Sequence, residues 1–309
     1  METKNNWKAW LYLAPALVLM LIFTFYPLFN TFTIAFLKNY NQYSGEPVIN
    51  QLLKEGVTLK NIGYVLGISE MSGVKYTTVR NIAIPNTIII TFVTVPISVI
   101  ISLLIAVGLN SIKKLNKIFQ TIFFIPYVTN GIAIGMVFAV IFAGSNGLWN
   151  TIFGLGDKYW VDMDASKFNQ MFALCVYIVW HALPYKILIF LSGLQGIDKQ
   201  YYQAAKIDCA TKFRTFMKIT VPLLSPQILY ITITSLIGSF KEYSSVVGLF
   251  GDGNRGAGGS KEMYTVVYYI YDMITEQPQL AAAAAVVLFC IILVFTVIQN
   301  WISNKKVHY

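Results

Sequence analysis

The chain has 309 residues, 56% hydrophobic and 12% charged, with a mean hydropathy of +0.60 and a formal net charge of +9. That balance lies well outside soluble-domain averages and excludes a protein whose apolar residues merely fill one or two water-soluble cores. Nucleic-acid binding is excluded too, because no basic soluble domain is present to carry the positive charge.

The apolar residues fall in six blocks, each long enough to cross a bilayer, where a spanning helix needs about 20 residues. The first, Trp10 to Phe36, is too long for a signal peptide and no small-residue cleavage site follows it, so it reads as a retained anchor helix. Lys4 and Lys8 against Glu2 favour a cytoplasmic N-terminus. Segment 37–81 is the largest non-spanning piece, and its Gly, Asn, Lys and short apolar groups suit a small folded cap. The second block runs from Ile82 to Leu109 and the third from Ile118 to Ala143, the latter containing Gly131-Ile-Ala-Ile-Gly135. The fourth, Met171 to Leu194, holds Lys186 in its inner half, where a lysine can snorkel or pair. The fifth runs from Val221 to Phe250, with Lys241 and Glu242 toward its outer end, placed for a local ion pair or a contact with an external protein. The sixth, Leu280 to Ile302, opens on Ala281–Ala285. Lipid offers backbone N–H and C=O groups no partner, so each block is expected to be helical. Pro27, Pro96, Pro126 and Pro184 are tolerated as kinks. The fold class is therefore an all-α polytopic membrane protein with six transmembrane helices. The glycine and alanine runs permit close helix approach, either at a subunit interface or within one bundle.

Charge placement orients the blocks. Stretches 1–9, 111–117, 195–220 and 303–309 hold twelve Lys/Arg in 49 residues, against nine in 105 for stretches 37–81, 144–170 and 248–280. The density differs roughly threefold in the sense of the positive-inside rule, which puts both termini and loop 195–220 in the cytoplasm. Cys175, Cys209 and Cys290 are odd in number and scattered, and His181 and His308 lie far apart, so neither a disulfide framework nor a metal site is indicated. No catalytic cluster and no bound cofactor are expected.

Loop 195–220 carries the most specific spelling: Gln203-Ala204-Ala205, Asp208-Cys209-Ala210, then Phe216, Ile219, Val221-Pro222 and Pro226. Asp208 is placed to cap a short helix starting near Cys209. Tyr201, Tyr202 and Ala205 share a helical side upstream, and Ala210, Phe213, Phe216 and Met217 follow helical spacing downstream. Two short helices meeting at 208–209 would form a compact knob, shallow at Ala204 and Ala205, that another protein can grip. The same residues also suit an amphipathic helix on the inner leaflet, held by Lys206, Lys212, Arg214 and Lys218.

This spelling resembles the cytoplasmic EAA loop of the membrane subunits of binding-protein-dependent ABC importers, whose pattern reads Glu-Ala-Ala, two residues, Asp-Gly-Ala, a spacer with Phe and Ile, Leu-Pro and a later Pro. Gln203 replaces the usual acid and Cys209 the usual glycine, which puts affinity or partner specificity, rather than the role, in question. Weaker matches follow the sugar-transport branch: Asn86-Thr87, Leu115-Asn116, Phe124-Ile125-Pro126, Trp180 before Pro184, Leu194, Phe240 and the closing Val307-His308-Tyr309.

The resemblance implies a non-catalytic permease subunit in the bacterial plasma membrane. It would be paired with a second homologous permease subunit in a heterodimer, with two ATPase subunits that use ATP and Mg, an external solute-binding protein, and surrounding membrane lipid. The chain itself has no Gly-x-x-x-x-Gly-Lys-Ser/Thr phosphate loop. By the same resemblance the ATPase-coupling residues are Tyr202, Gln203, Ala204, Ala205, Asp208, Cys209, Ala210, Phe213 and Phe216. A sugar pathway needs hydrogen-bonding groups and aromatic faces, and Tyr127, Asn130, Trp180, Tyr185, Ser239 and Tyr243 are candidates, although each also reads as an ordinary packing side chain. The rival readings explain less. A secondary transporter or channel would want several ionisable groups or broken helices at the midplane and would leave the lever-like loop unexplained, and a membrane enzyme would want a cluster of His, Asp, Glu or Cys at one depth.

Overall fold

The computed structural model describes residues 6–69, 78–112, 116–144, 147–162, 164–251 and 262–304. Leu115 and Val307-His308-Tyr309 lie outside the described residues, as do the side chains of Asn116 and Phe124. The regular elements are helices: α1 (Trp7–Phe36), α2 (Val48–Glu55), α3 (Lys60–Val65), α4 (Val79–Ser111), α5 (Asn116–Val128), α6 (Gly131–Ile141) and α7 (Leu148–Phe153). They continue with α8 (Lys167–Gln195), α9 (Lys199–Ile207), α10 (Lys212–Leu223), α11 (Ser225–Phe240), α12 (Ser244–Phe250), α13 (Val266–Met273) and α14 (Pro278–Asn304).

Four of them, α1, α4, α8 and α14, are long and apolar enough to cross a membrane, and α10 with α11, bent by 67°, makes five if that pair is one span. The expected third span is not one rod. It breaks at Thr129-Asn130, where the Asn130 side chain accepts from the N–H groups of Ile132 (2.9 Å) and Ala133 (3.4 Å) and starts α6 afresh. The expected fifth block, 221–250, is also interrupted, first at Leu224 and again between Phe240 and Ser244. Glu242 accounts for the second break, because its Oε1 accepts from Ser245 N (2.9 Å) at the start of α12. The carboxylate therefore holds a helix end, and among the described residues it makes no ion pair with Lys241.

Prolines shape the long helices in a recurrent way. The chain forms five-residue π-helical turns at Leu21–Phe25, Val79–Ala83 and Phe216–Thr220, and each ends two residues before a proline, Pro27, Pro85 and Pro222. A proline donates no N–H and its ring crowds the carbonyl four residues back, so a widened turn at that place relieves the conflict without ending the helix.

The chain divides into two compact units, the first comprising residues up to 81 together with 269–290, the second residues 82–268 and those from 291 onward. In the first unit, most of α1 between Trp7 and Phe29 is exposed, whereas Thr33, Ala35 and Leu37 are buried. Segment 37–69 is organised by two buried amides. Asn61 Nδ2 donates to the carbonyls of Ala35 (3.1 Å) and Leu37 (2.9 Å). Gln51 accepts from Asn41 N and donates to Ser44 Oγ (2.7 Å) and to the carbonyls of Asn41 and Glu46.

The second unit is built on α4 packed against α8 and α11. Its apolar core joins Val95, Val99, Ala106 and Leu109 to Ile187, Phe190, Leu191, Leu194, Leu224 and Ile231. Along α4 the hydroxyls of Thr87, Thr91, Thr94, Ser98 and Ser102, spaced four, three, four and four residues apart, are all buried. Small hydroxyl residues on one face let helices approach closely where lipid gives no hydrophobic drive to associate. Lys186 of α8 is buried and donates to Ser98 Oγ, which itself donates to the Val95 carbonyl. This lysine thus pairs inward with a hydroxyl instead of reaching toward water. At the other seam, α6 meets α12 glycine to glycine: a Cβ on Gly135 would fall 2.6 Å from Gly248 Cα.

Candidate functional site

The segment from Asp198 to Thr220 forms two short helices joined by a tight turn. Asp198 caps the first, its Oδ1 accepting from Gln200 N (2.9 Å). At the other end of α9, Ala210 N donates to Ala205 O (2.9 Å) and Cys209 N to Lys206 O (3.1 Å), with Cys209 at φ +49°. These two bonds around a left-handed residue are the Schellman arrangement, in which glycine usually takes the left-handed place. Thr211 caps α10, its Oγ1 accepting from Arg214 N (3.3 Å). The expectation that Asp208 caps a helix beginning near Cys209 is therefore corrected. Asp208 stands at the C-terminal end of α9, and the caps are Asp198 and Thr211. The turn itself falls where the two helices were expected to meet.

Backbone anchoring at both helix starts, with the closed turn between them, makes a stiff knob. Tyr202 is half-buried, and its hydroxyl lies 3.3 Å from Thr220 Oγ1, tying α9 to the π-helical turn of α10, just before the bend into α11. Ala205 is buried beneath, whereas Gln203, Ala204, Asp208 and Cys209 are exposed and Ala210 and Phe216 half-buried. Phe213 is 74% exposed. Ile207, 83% exposed, was not among the expected residues and stands on the opposite side of the Cys209 turn. Ile207 and Phe213 are thus two large apolar side chains held in the open on this loop. The signal in the sequence was an apolar residue directly before Asp208 in an otherwise polar stretch.

The six candidate pathway residues do not form one cluster. Tyr127 and Tyr185 stack, with ring centroids 5.6 Å apart and planes 20° from parallel, and the Tyr185 hydroxyl lies 3.3 Å from that of Tyr230 on α11. Tyr127 and Tyr230 are both nearly half exposed, so three helices present one open aromatic and hydroxyl surface. Tyr230 was missed, and nothing but its helical setting could have found it. Trp180 sits five residues before Tyr185, roughly 140° around α8, and packs on Phe138 (5.1 Å) instead. Asn130 is occupied as the cap of α6, Ser239 is buried, and Tyr243 packs against Tyr268 (5.7 Å).

Residues 98–308 match the family model of the binding-protein-dependent transport system inner membrane component. The chain belongs to this family. As such it is a permease subunit of an ATP-driven importer, a multi-pass, non-catalytic component of the inner (cytoplasmic) membrane. It is 29% identical over 303 residues to the arabinooligosaccharides transport system permease protein AraP of Bacillus subtilis (strain 168), covering 96% of this chain and 88% of that one. With the AraP of Halalkalibacterium halodurans the identity is 33% over 226 residues, 72% of this chain and 70% of the relative. A chain of the bacterial alginate ABC transporter, solved in complex with alginate pentasaccharide-bound periplasmic protein, has the same fold. It superposes with a TM-score of 0.72 at 19% identity, covering 98% of the permease chain described here and 96% of its own length.

Proposed function

We propose that this permease forms half of the pathway for a sugar or sugar-like solute and takes its driving force from a separate ATPase through the knob at 198–220. The observation that carries the reading is that knob's construction: capped at both helix starts, closed by a Schellman turn, rooted through Tyr202 and Thr220, and exposing Ile207 and Phe213. A loose loop would absorb a mechanical stroke, whereas a stiff one transmits it. Tyr202, Gln203, Ala204, Ala205, Asp208, Cys209, Ala210, Phe213 and Phe216, now with Ile207, make the contact. ATP and Mg belong to the ATPase pair. Its closure draws the coupling loops of the two permease subunits together and rocks the helices between inward- and outward-open states.

Six crossings at about 10–36, 82–109, 118–143, 171–194, 221–250 and 280–302 suit this role, with α5–α6 as a broken third span and α10 to α12 as a bent fifth. Discontinuous helices in transporters are tolerated where they line a cavity or pack within protein. Both termini and the knob face the cytoplasm and segment 37–81 faces out, where an external solute-binding protein delivers its load. The second permease subunit is a homologous but different chain. A sugar is favoured by the two arabinooligosaccharide relatives and by the Tyr127–Tyr185–Tyr230 surface, which offers stacking faces and hydroxyls together.

The test is co-purification of the ATPase with a tagged permease from membranes. Ala204→Arg and Asp208→Lys should each remove the ATPase while leaving the permease in the membrane fraction. Full retention with both variants refutes the coupling role. In the intact transporter, Tyr185→Ala should abolish solute-stimulated ATP hydrolysis, and wild-type stimulation would remove the aromatic surface from the pathway.

A further inference from the structure

Between residues 198 and 220 the chain exposes five cations, Lys199, Lys206, Lys212, Arg214 and Lys218, against two acids, Asp198 and Asp208. Asp198 is already engaged as a helix cap, and Gln203 supplies no charge. None of the five cations is ion-paired; the single ion pair among the described residues joins Lys54 to Glu46. Arg214 and Lys218 do not stand on a flat face. With Asp208 and the small residues Ala204, Ala205 and Ala210, they line a groove of about 460 Å³ between α9 and the turn of α10. Asp208 shares that groove without coming within ion-pair distance of either cation, so their charge is uncompensated. The groove is preformed, since the Schellman turn at Cys209 and the Thr211 cap fix the angle between its walls.

We propose that this groove receives a carboxylate-bearing side chain, Asp or Glu, from the surface of the partner ATPase, with Arg214 and Lys218 as its charge partners. The inference rests on the coupling role given above and adds the sign and chemistry of the surface that fits the knob. A guanidinium binds a carboxylate through two parallel N–H bonds, and the ammonium of Lys218, about one turn further along α10, adds a second charge from the same wall. Three alanines keep the floor shallow enough for a short acidic side chain to reach both. Adhesion to anionic lipid would call for cations arrayed along an outer face, not for two lining a recess across which they meet an aspartate.

The experiment uses the complex purified from membranes through a tag on the permease, with ATPase retention measured from about 0.05 to about 0.5 M NaCl, a range over which exposed charge pairs are progressively screened. Arg214→Gln and Lys218→Gln should each weaken retention about tenfold at low salt and flatten its salt dependence, while Arg214→Lys keeps most of that dependence. Carbodiimide treatment of the wild-type complex should join the Lys218 amine to an ATPase aspartate or glutamate, identified by peptide mass spectrometry. Wild-type retention and salt dependence in both Gln variants, with Ala204→Arg still expelling the ATPase, overturns the acidic-partner inference and leaves the coupling role standing. Retention in Ala204→Arg as well defeats both. Gln variants that hold the ATPase normally but lose binding to phosphatidylglycerol vesicles show the cations to serve lipid, and also overturn the proposal.

Discussion

Cys209 is the single non-glycine residue with positive φ among those described, and it sits at the turn between α9 and α10. At φ +49° its Cβ crowds the neighbouring carbonyl, at a cost of about 1–2 kcal/mol for a left-handed residue. Cys209→Gly removes that crowding, while the greater freedom of glycine in the open state gives back about 0.5–1 kcal/mol. The thiol contributes little to the balance, since its one polar contact is a 3.9 Å approach to the Ile207 carbonyl. The turn should therefore tighten by about 0.5–1 kcal/mol, lowering its local opening roughly two- to fivefold. Hydrogen exchange on the purified complex reads this directly, because the amides of Asp208, Cys209 and Ala210 donate to the carbonyls of Ala204, Lys206 and Ala205. Their exchange should slow by that factor in Cys209→Gly and stay unchanged in Cys209→Ala, which keeps the Cβ. If Cys209→Ala slows exchange as much as Cys209→Gly, strain at the Cβ is not what the turn suffers from, and the reasoning fails.

Other substitutions probe the frame around the knob. Ser98→Ala leaves the buried Lys186 without its hydroxyl partner and should lower the detergent melting temperature, at about 1–3 kcal/mol, whereas Lys186→Met should be neutral or stabilising; a melting temperature that falls equally in both would contradict this. Gly135→Val drives a side chain into the Gly248 backbone and should destabilise by about 1–3 kcal/mol, most visibly as faster exchange in α12. Asp198→Ala removes the cap of α9 and should cost about 1 kcal/mol, read as faster exchange at Gln200 with α8 unaffected. Cys209 is exposed, so a maleimide should label it in the free permease and be slowed when the ATPase is bound; equal rates would place the contact elsewhere.

What could be read from the residues follows from how far each constraint reaches. Lipid imposes a length on every crossing, and composition shows that length directly, so α1, α4, α8 and α14 lie where the apolar blocks put them. A break inside an apolar block is decided by one or two side chains and leaves hydropathy unchanged. Asn130 ends one helix and begins another by accepting two backbone N–H groups, and Glu242 does the same with one, both within blocks that look continuous. The π-helical turns were accessible in principle, since each stands two residues before a proline, but only the structure shows that the helix widens there instead of kinking.

The knob shows the same division. Its place, its turn at 208–209 and the exposure of Ala204 could be read, because spacing and residue type carry them, whereas Ala205, read with it as part of the shallow surface, is buried. The aspartate that caps is Asp198, not Asp208. Both Asp198 and Asp208 have side chains suited to an N-cap, and the choice between them depends on where α9 starts. Counting from Asp198 settles it: nine helical residues bring the chain to Ile207, and Asp208 can then only stand at the end. The left-handed residue must follow, which is why a position that prefers glycine falls on Cys209 and why the hinge of the knob carries strain that a single substitution can release.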